Sequence, residues 1–224
     1  MYGAGVIHGN PSSVLHCVKD SDKKEMEAEE VDQKAYTPEE ISRLLLSIES
    51  RNPHMNDARD RAIIALFLGS AMRATEVCQL NLSHAEQIRK GSVYCQRKGG
   101  HWKNIEVADF VYPHIARYLE QRGSGSPEEP LFLSASGARL NRKALWKSMA
   151  TRQKQAQLAT GLHIFRHTVL SAVDHGCGSA LARDVGGHKS VATTNRYVHT
   201  SKADRHNAVN STPFGALLTQ AAQK

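Results

Sequence analysis

A mainly α (α+β) fold, helices packed around one small antiparallel β-sheet, is predicted by three features of this 224-residue sequence. Apolar residues recur at helical spacing behind a clear capping signal. Two short alternating segments enclose a glycine-containing loop, and the last third breaks into short apolar stretches between glycines. With 40% hydrophobic and 23% charged residues, the chain has the composition of a globular protein able to bury a core.

Residues 1–35 carry little apolar periodicity and end in the charged stretch DSDKKEMEAEEVDQK, which reads as a solvated linker. At Thr37-Pro38-Glu39-Glu40 an N-cap, a proline at the first helical position and a capping-box glutamate precede Ile41, Leu44, Leu45 and Ile48, so a helix starts there. A second helix is expected from Asp57 to Leu68, halted by Gly69-Ser70, and a third from Arg73 to Leu80. The segments Ser92–Arg97 and Asn104–Ala108, joined through Lys-Gly-Gly-His-Trp-Lys, predict a β-hairpin. A helix over Val111–Gln121 follows, then the GSGSPEEP loop, and Leu131-Phe132-Leu133 is too short to classify. Asn141 caps a basic helix reaching Gln155, and short helices are expected at His163–Asp174, Ser179–Val185, Thr193–His199 and Phe214–Ala222.

The net charge is +7, unevenly spread: the first 40 residues hold four lysines against nine acids, a net of −5, so the remainder carries +12. That excess points to an acidic partner such as nucleic acid. Cys17, Cys78, Cys95 and Cys177 are scattered with no CxxC pair, which argues against a disulfide framework or a thiolate zinc site and fits a reducing cytoplasm. The longest apolar run, around Ala62–Gly69, is well short of the roughly 20 residues that span a bilayer. The start, MYGAGVIHGNP, lacks the charged and apolar regions of a secretory signal, and no membrane partner is expected.

Four separated pieces carry chemistry: Arg73-Ala-Thr-Glu76, the hairpin loop with Lys98, His163-Ile-Phe-Arg166-His167, and Gly187-His188 followed nine positions later by Tyr197. On a helix His163, Arg166 and His167 fall at i, i+3 and i+4, so imidazole and guanidinium project from one face. Arginine suits a phosphate because its planar fork donates two parallel, charge-assisted hydrogen bonds. Two histidines at i, i+4 also resemble half a zinc site. The zinc-hydrolase pattern, however, wants a glutamate directly after the first histidine, where this chain has Ile164, and Arg166 between them would repel a cation. Neither a metal nor, without a Walker-type glycine loop, a nucleotide cofactor is expected.

In order and spacing, Gly-x-x-x-Arg-x-x-Glu, a hairpin lysine, His-x-x-Arg-His-Thr and Gly-His-x8-Tyr resemble the tyrosine recombinase family, also called phage integrases, over residues 36–205. The segments LHIFRHT and GGHKSVATTNRYVH look like that family's most diagnostic stretches. The resemblance implies that Tyr197 is the nucleophile, forming a 3′-phosphotyrosyl link to DNA. It implies that Arg73 and Arg166 clamp the scissile phosphate, that His188 donates to the same phosphate, and that His163 takes the tyrosine proton or holds it in place. Lys98 is the expected general acid, with Lys103 across the same loop as the alternative. Glu76 would orient Arg73 or a histidine, and His167 would support the site or belong to the core. The basic stripe after Asn141, comprising Arg142, Lys143, Lys147, Arg152 and Lys154 with Arg139 just before it, would contact backbone phosphates.

The same resemblance divides the chain into residues 1–35, the end of a core-binding domain plus an acidic linker, residues 36–205, the catalytic domain, and residues 206–224, a tail that docks on its own domain or a neighbouring protomer. Residues 5–11 are similar to the end of the family's first domain, so the chain reads as a catalytic domain without its N-terminal half. The implied partners are double-stranded DNA and three further copies in a tetramer on synapsed DNA. The alternative is a DNA-binding relic unable to recombine by itself. Val185-Gly186-Gly187 replaces the family's more usual Leu-Leu-Gly, and Gly186 is expected to loosen that helix end.

Overall fold

The computed structural model describes residues 35–48, 55–97, 100–187 and 201–222. The predicted helix Thr193–His199 and the candidate residues Lys98, His188 and Tyr197 lie outside the described residues, as does the linker before Ala35.

The fold is mainly α, with one two-stranded antiparallel sheet among the described residues. Helix α1 (Pro38–Leu46) begins as the sequence dictates: Thr37 accepts from the Glu40 N–H, Glu40 accepts from the Thr37 N–H, and Ile41, Leu44 and Leu45 point inward. Helix α2 (Met55–Ser70) is the core of the domain, with every residue from Ala58 to Ser70 buried. It runs two residues past its predicted stop. Gly69 is helical, and a Cβ there would collide with Val111, so the glycine serves close packing rather than termination. The chain turns at Ala71 instead, whose φ of 51° is left-handed, at a cost of roughly 1 kcal/mol for a non-glycine residue.

After α2 come the short helices α3 (Ala74–Cys78) and α4 (Ser83–Arg89), then strands β1 (Ser92–Gln96) and β2 (Trp102–Glu106). Helix α4 was not expected. It has only seven residues and buries just Ala85 and Ile88, too little to leave a periodic signal. In the hairpin Ser92 pairs with Glu106 and Gln96 with Trp102, so Val93, Cys95 and Ile105 face the core while Tyr94 and Trp102 stack outside, ring centroids 5.4 Å apart. Strand β2 stops two residues before the predicted Ala108, because the Ala108 N–H leaves the ladder to donate to the Gly69 carbonyl at 2.8 Å.

A 3₁₀ turn (Asp109–Val111) leads into α5 (Tyr112–Arg122), and the unclassified stretch around Leu131 forms only isolated bridges, Asn81 with Pro130 and Leu133 with Arg139. Helices α6 (Arg142–Gln155), α7 (His163–Cys177) and α8 (Ser179–Gly186) follow, α6 capped by Asn141 as predicted. Helix α9 (Lys202–Asn210) went unpredicted because it is polar and buries only Ala208 and Val209. Polar contacts add to that small apolar footing: Arg205 pairs with buried Glu106 at 2.9 Å, and Asn210 Oδ1 accepts from the Asp109 N–H at 2.8 Å. Helix α10 (Phe214–Ala222) packs on its own domain through buried Phe214 and Leu218, and buried His114 donates to the Leu218 carbonyl at 3.0 Å.

Candidate active site

The left-handed turn at Ala71 delivers Arg73 to the start of α3 with its side chain partly exposed. One turn on, Glu76 is 1% exposed and folds back, accepting from the Arg73 backbone N–H at 2.7 Å and from its guanidinium at 3.1 Å. The same carboxylate oxygen accepts from Nε of Arg97 at 3.1 Å, so Glu76 holds two guanidiniums. Arg97 continues to the Gly186 carbonyl at 3.2 Å. That carbonyl also accepts from Arg166, whose other terminal nitrogen donates to the Ala71 carbonyl. Hydrogen bonds run from Arg73 through Glu76, Arg97, the Gly186 carbonyl and Arg166 to the Ala71 carbonyl, and the backbone through Met72 closes the ring back to Arg73.

This ring borders a cleft of about 580 Å³ lined by Arg73, Arg97, Arg142, Arg166 and His163, with no carboxylate among its described lining residues. Arg166 is 2% exposed, and burial first, then the charges of Arg73 and Arg97, pushes its pKa down to about 10. It therefore stays cationic at neutral pH while being crowded by like charges, an arrangement that an anion in the cleft would relieve.

Of the sequence-predicted residues, Arg73, Glu76, His163 and Arg166 come together, and Arg142, expected to contact DNA, lines the same cleft. The expected common face of α7 is split by depth: Arg166 is buried, while His163 and His167 are exposed, edge to face with ring centroids 4.9 Å apart. His163 lines the cleft, and His167 stands outside it rather than in the core. Gly186, where a loosened helix end was expected, is helical and its carbonyl holds two arginines. Gly187 takes the left-handed cap position, φ 64°, and a Cβ there would strike the Arg97 guanidinium. The left-handed cap favours glycine, and any side chain there would force the Arg97 guanidinium to move.

Arg97 escaped the sequence reading. Its signal was present, a second cation directly before Lys98, but a one-residue charge pair in a hairpin looks like any solvated loop. On the basic helix α6, Arg142, Lys143 and Lys147 are exposed. Arg152, expected in the same stripe, is a correction: it turns inward to Asp57 at 2.5 Å and Asp60 at 3.0 Å because it falls on the helix face that packs against α2. Arg139 is exposed, yet its guanidinium already donates to the carbonyls of Cys78 and Leu80 and to Asn81.

The sequence profile of the phage integrase family matches residues 34–204. Tyrosine recombinase XerC of Roseiflexus sp. (strain RS-1) is 26% identical over 190 residues, covering 80% of this chain and 59% of that protein. Tyrosine recombinase XerD of Staphylococcus saprophyticus subsp. saprophyticus (strain ATCC 15305 / DSM 20229 / NCIMB 8711 / NCTC 7292 / S-41) is 28% identical over 172 residues, covering 73% of this chain and 58% of that one. The chain thus spans about six tenths of the length of these curated relatives. Among solved structures, a XerA recombinase shares the fold with a TM-score of 0.59 at 21% identity, over 78% of this chain and 63% of that one. The lambda integrase catalytic core does so with a TM-score of 0.52 at 15% identity, over 72% of this chain and 96% of that one.

Proposed function

The chain belongs to the phage integrase family, and from that premise we propose that it is the catalytic domain of a site-specific recombinase that breaks and rejoins double-stranded DNA through a 3′-phosphotyrosyl intermediate. One observation supports this reading above the rest: Arg73 and Arg166, 93 positions apart in sequence, border one cleft with His163, and no carboxylate is among its described lining residues. Such a site suits a phosphodiester, whose two non-bridging oxygens gain charge as phosphorus is attacked.

In the proposed step the Tyr197 phenolate oxygen forms a bond to phosphorus as the bond from phosphorus to the 5′ oxygen breaks. The phenol, with an ordinary pKa of roughly 10, must lose its proton as it attacks. His163 receives or steers that proton, His188 donates to a non-bridging oxygen, and Lys98 or Lys103 protonates the departing 5′ oxygen. Attack of a free 5′ hydroxyl on the phosphotyrosine reverses the step, so the bond energy is retained. Arg142, Lys143 and Lys147 of α6 would grip flanking phosphates, with Arg139 beside them. Two solved relatives, a XerH recombinase bound to its difH substrate and a lambda integrase tetramer on a Holliday junction, support extending the reading to DNA-bound assembly, with a homotetramer as the working form in the cytoplasm.

The test requires no knowledge of the target site. Supercoiled plasmid is incubated with the protein in EDTA at low salt and scored for relaxation and SDS-resistant protein–DNA adducts, beside Tyr197→Phe. Adducts that disappear in the variant are expected. Adducts that persist in it, or plasmid binding with no adduct in the wild type, would overturn the proposal.

A further inference from the structure

Arg73 and Arg166 reach the cleft from different parts of the chain, and their supports are separate: a carboxylate for Arg73, two carbonyls for Arg166. Arg97 joins the two supports. Its Nε donates to the Glu76 oxygen that also holds Arg73, and a terminal nitrogen donates to the Gly186 carbonyl that also holds Arg166. Its side chain is 9% exposed, and Gly187 lacks the Cβ that would displace it. A guanidinium can make this bridge because its donors diverge from one rigid plane, whereas an ammonium is a single point on a flexible stem.

We propose that Arg97 is a positioning residue that sets the separation of the two phosphate-gripping guanidiniums, acting through Glu76 and the Gly186 carbonyl. The inference rests on the reading of the cleft as a phosphodiester site. Arg97 also balances Glu76, so that the carboxylate orients Arg73 without cancelling the positive charge offered to a phosphate. Without the bridge, Arg166 still meets the Ala71 carbonyl two residues before Arg73, but among the described residues Glu76 and the Gly186 carbonyl are no longer tied to each other, and the ring opens on that side. Small displacements of this kind cost reaction rate more than affinity, on the order of 10²-fold per ångström.

The test compares Arg97→Ala and Arg97→Lys with wild type and with Val93→Ala, a core truncation in the same hairpin that leaves the ring untouched. The rate of adduct formation on supercoiled plasmid should fall about 10²-fold in both Arg97 variants, with plasmid retention at low salt within about twofold of wild type. At the cleavage site mapped with wild type, the preference between the two non-bridging phosphorothioate diastereomers should change in Arg97→Lys and not in Val93→Ala. A readout independent of cleavage is the rise in melting temperature on adding inorganic phosphate at constant ionic strength, which Arg97→Ala should lose by at least half while Val93→Ala keeps it. A wild-type cleavage rate in Arg97→Ala, an unchanged diastereomer preference, or equal losses of rate and retention would each overturn the proposal. If wild type forms no adduct, the recombinase reading fails, and the phosphate response alone decides whether Arg97 sets the clamp.

Discussion

Two arginine clusters sit at opposite ends of the same central helix neighbourhood, and they are neutralised differently. In the first, Arg59 and Arg152 share Asp60, Arg152 also reaches Asp57 at 2.5 Å, and Ser148 donates to Asp60 at 2.8 Å. Two cations meet two anions, and Arg59 and Asp60 are 5% and 1% exposed. In the second, among the described residues, Arg73 and Arg97 share one carboxylate, while Arg166 donates to two backbone carbonyls, one of which Arg97 also uses. Carbonyls satisfy donors without cancelling charge, so the second cluster keeps about two units of positive charge beside an open cleft. The first cluster is complete as it stands and joins α2 to α6. The second leaves positive charge beside the cleft among the described residues, and this imbalance distinguishes it from a structural ion-pair network made of the same residue types.

The largest effect that would sharpen this contrast falls on the balanced cluster. Asp60→Asn leaves Arg59 and Arg152 with one charge partner fewer in a buried setting, and breaking a pair of this kind costs about 3–5 kcal/mol. Urea unfolding of the variant should show a loss of that size, with the phosphate-dependent rise in melting temperature unchanged in the molecules that remain folded. A loss below about 1 kcal/mol would mean that the first cluster does not hold the fold together.

A third buried basic group follows neither pattern. His114 is 2% exposed, its Nε2 donates to the Leu218 carbonyl, and its Nδ1 is buried with no partner among the described residues. Burial, the dominant cause, pushes its pKa down to about 4, with Arg61 and Arg117 adding to the effect. The imidazole is therefore neutral in the fold, whereas in the unfolded chain it takes up a proton near pH 6.5. Its contribution to stability is full above that pH and is lost as pH falls from 6.5 toward 4, by an amount on the order of 3 kcal/mol. Because His114 touches α10, the expected observation is faster amide exchange over Phe214–Ala222 as pH falls through this window, after correction for intrinsic exchange. A pH-independent opening of α10 would refute the assignment.

The parts of the fold that were legible in the sequence are those where local chemistry and tertiary structure agree. Thr37 and Glu40 cap α1 as written, Asn141 caps α6, and the alternation of Val93 and Cys95 gives β1 its buried face. What failed to show are elements held by distant partners. Helix α9 has too few apolar residues to be seen and stays in place through Arg205 and Glu106, 99 positions apart. Gly69 looked like a helix stop because its real constraint is contact with Val111, which no local pattern records. At the site, Arg73, Glu76, His163 and Arg166 were readable because their spacing is itself the motif. Arg97 and the Gly186 carbonyl were not, since a loop cation and a backbone acceptor acquire meaning only when the hairpin folds against α8.

The smallest expected effect concerns the one helix that serves both kinds of cluster. On α6, Arg152 faces inward to Asp57 and Asp60, while Lys147, five positions earlier, is exposed. If the outer face lies along DNA, Lys147→Ala should flatten the dependence of log affinity on log salt by about 0.9 and leave unfolding free energy within ~0.5 kcal/mol. Arg152→Ala should do the reverse, leaving the salt slope alone and destabilising the fold, because it uncovers two carboxylates rather than a phosphate contact. Plasmid retention titrated from low to moderate salt, beside urea melts of the two proteins, separates these outcomes. A salt slope that moves with Arg152 and not with Lys147 would place DNA on the other side of the helix, against the packed core, a position the burial of Asp60 forbids. An unchanged slope in both variants would instead remove Lys147 from the DNA-binding surface and leave the cleft arginines, Arg142 at the start of α6 among them, to account for phosphate binding.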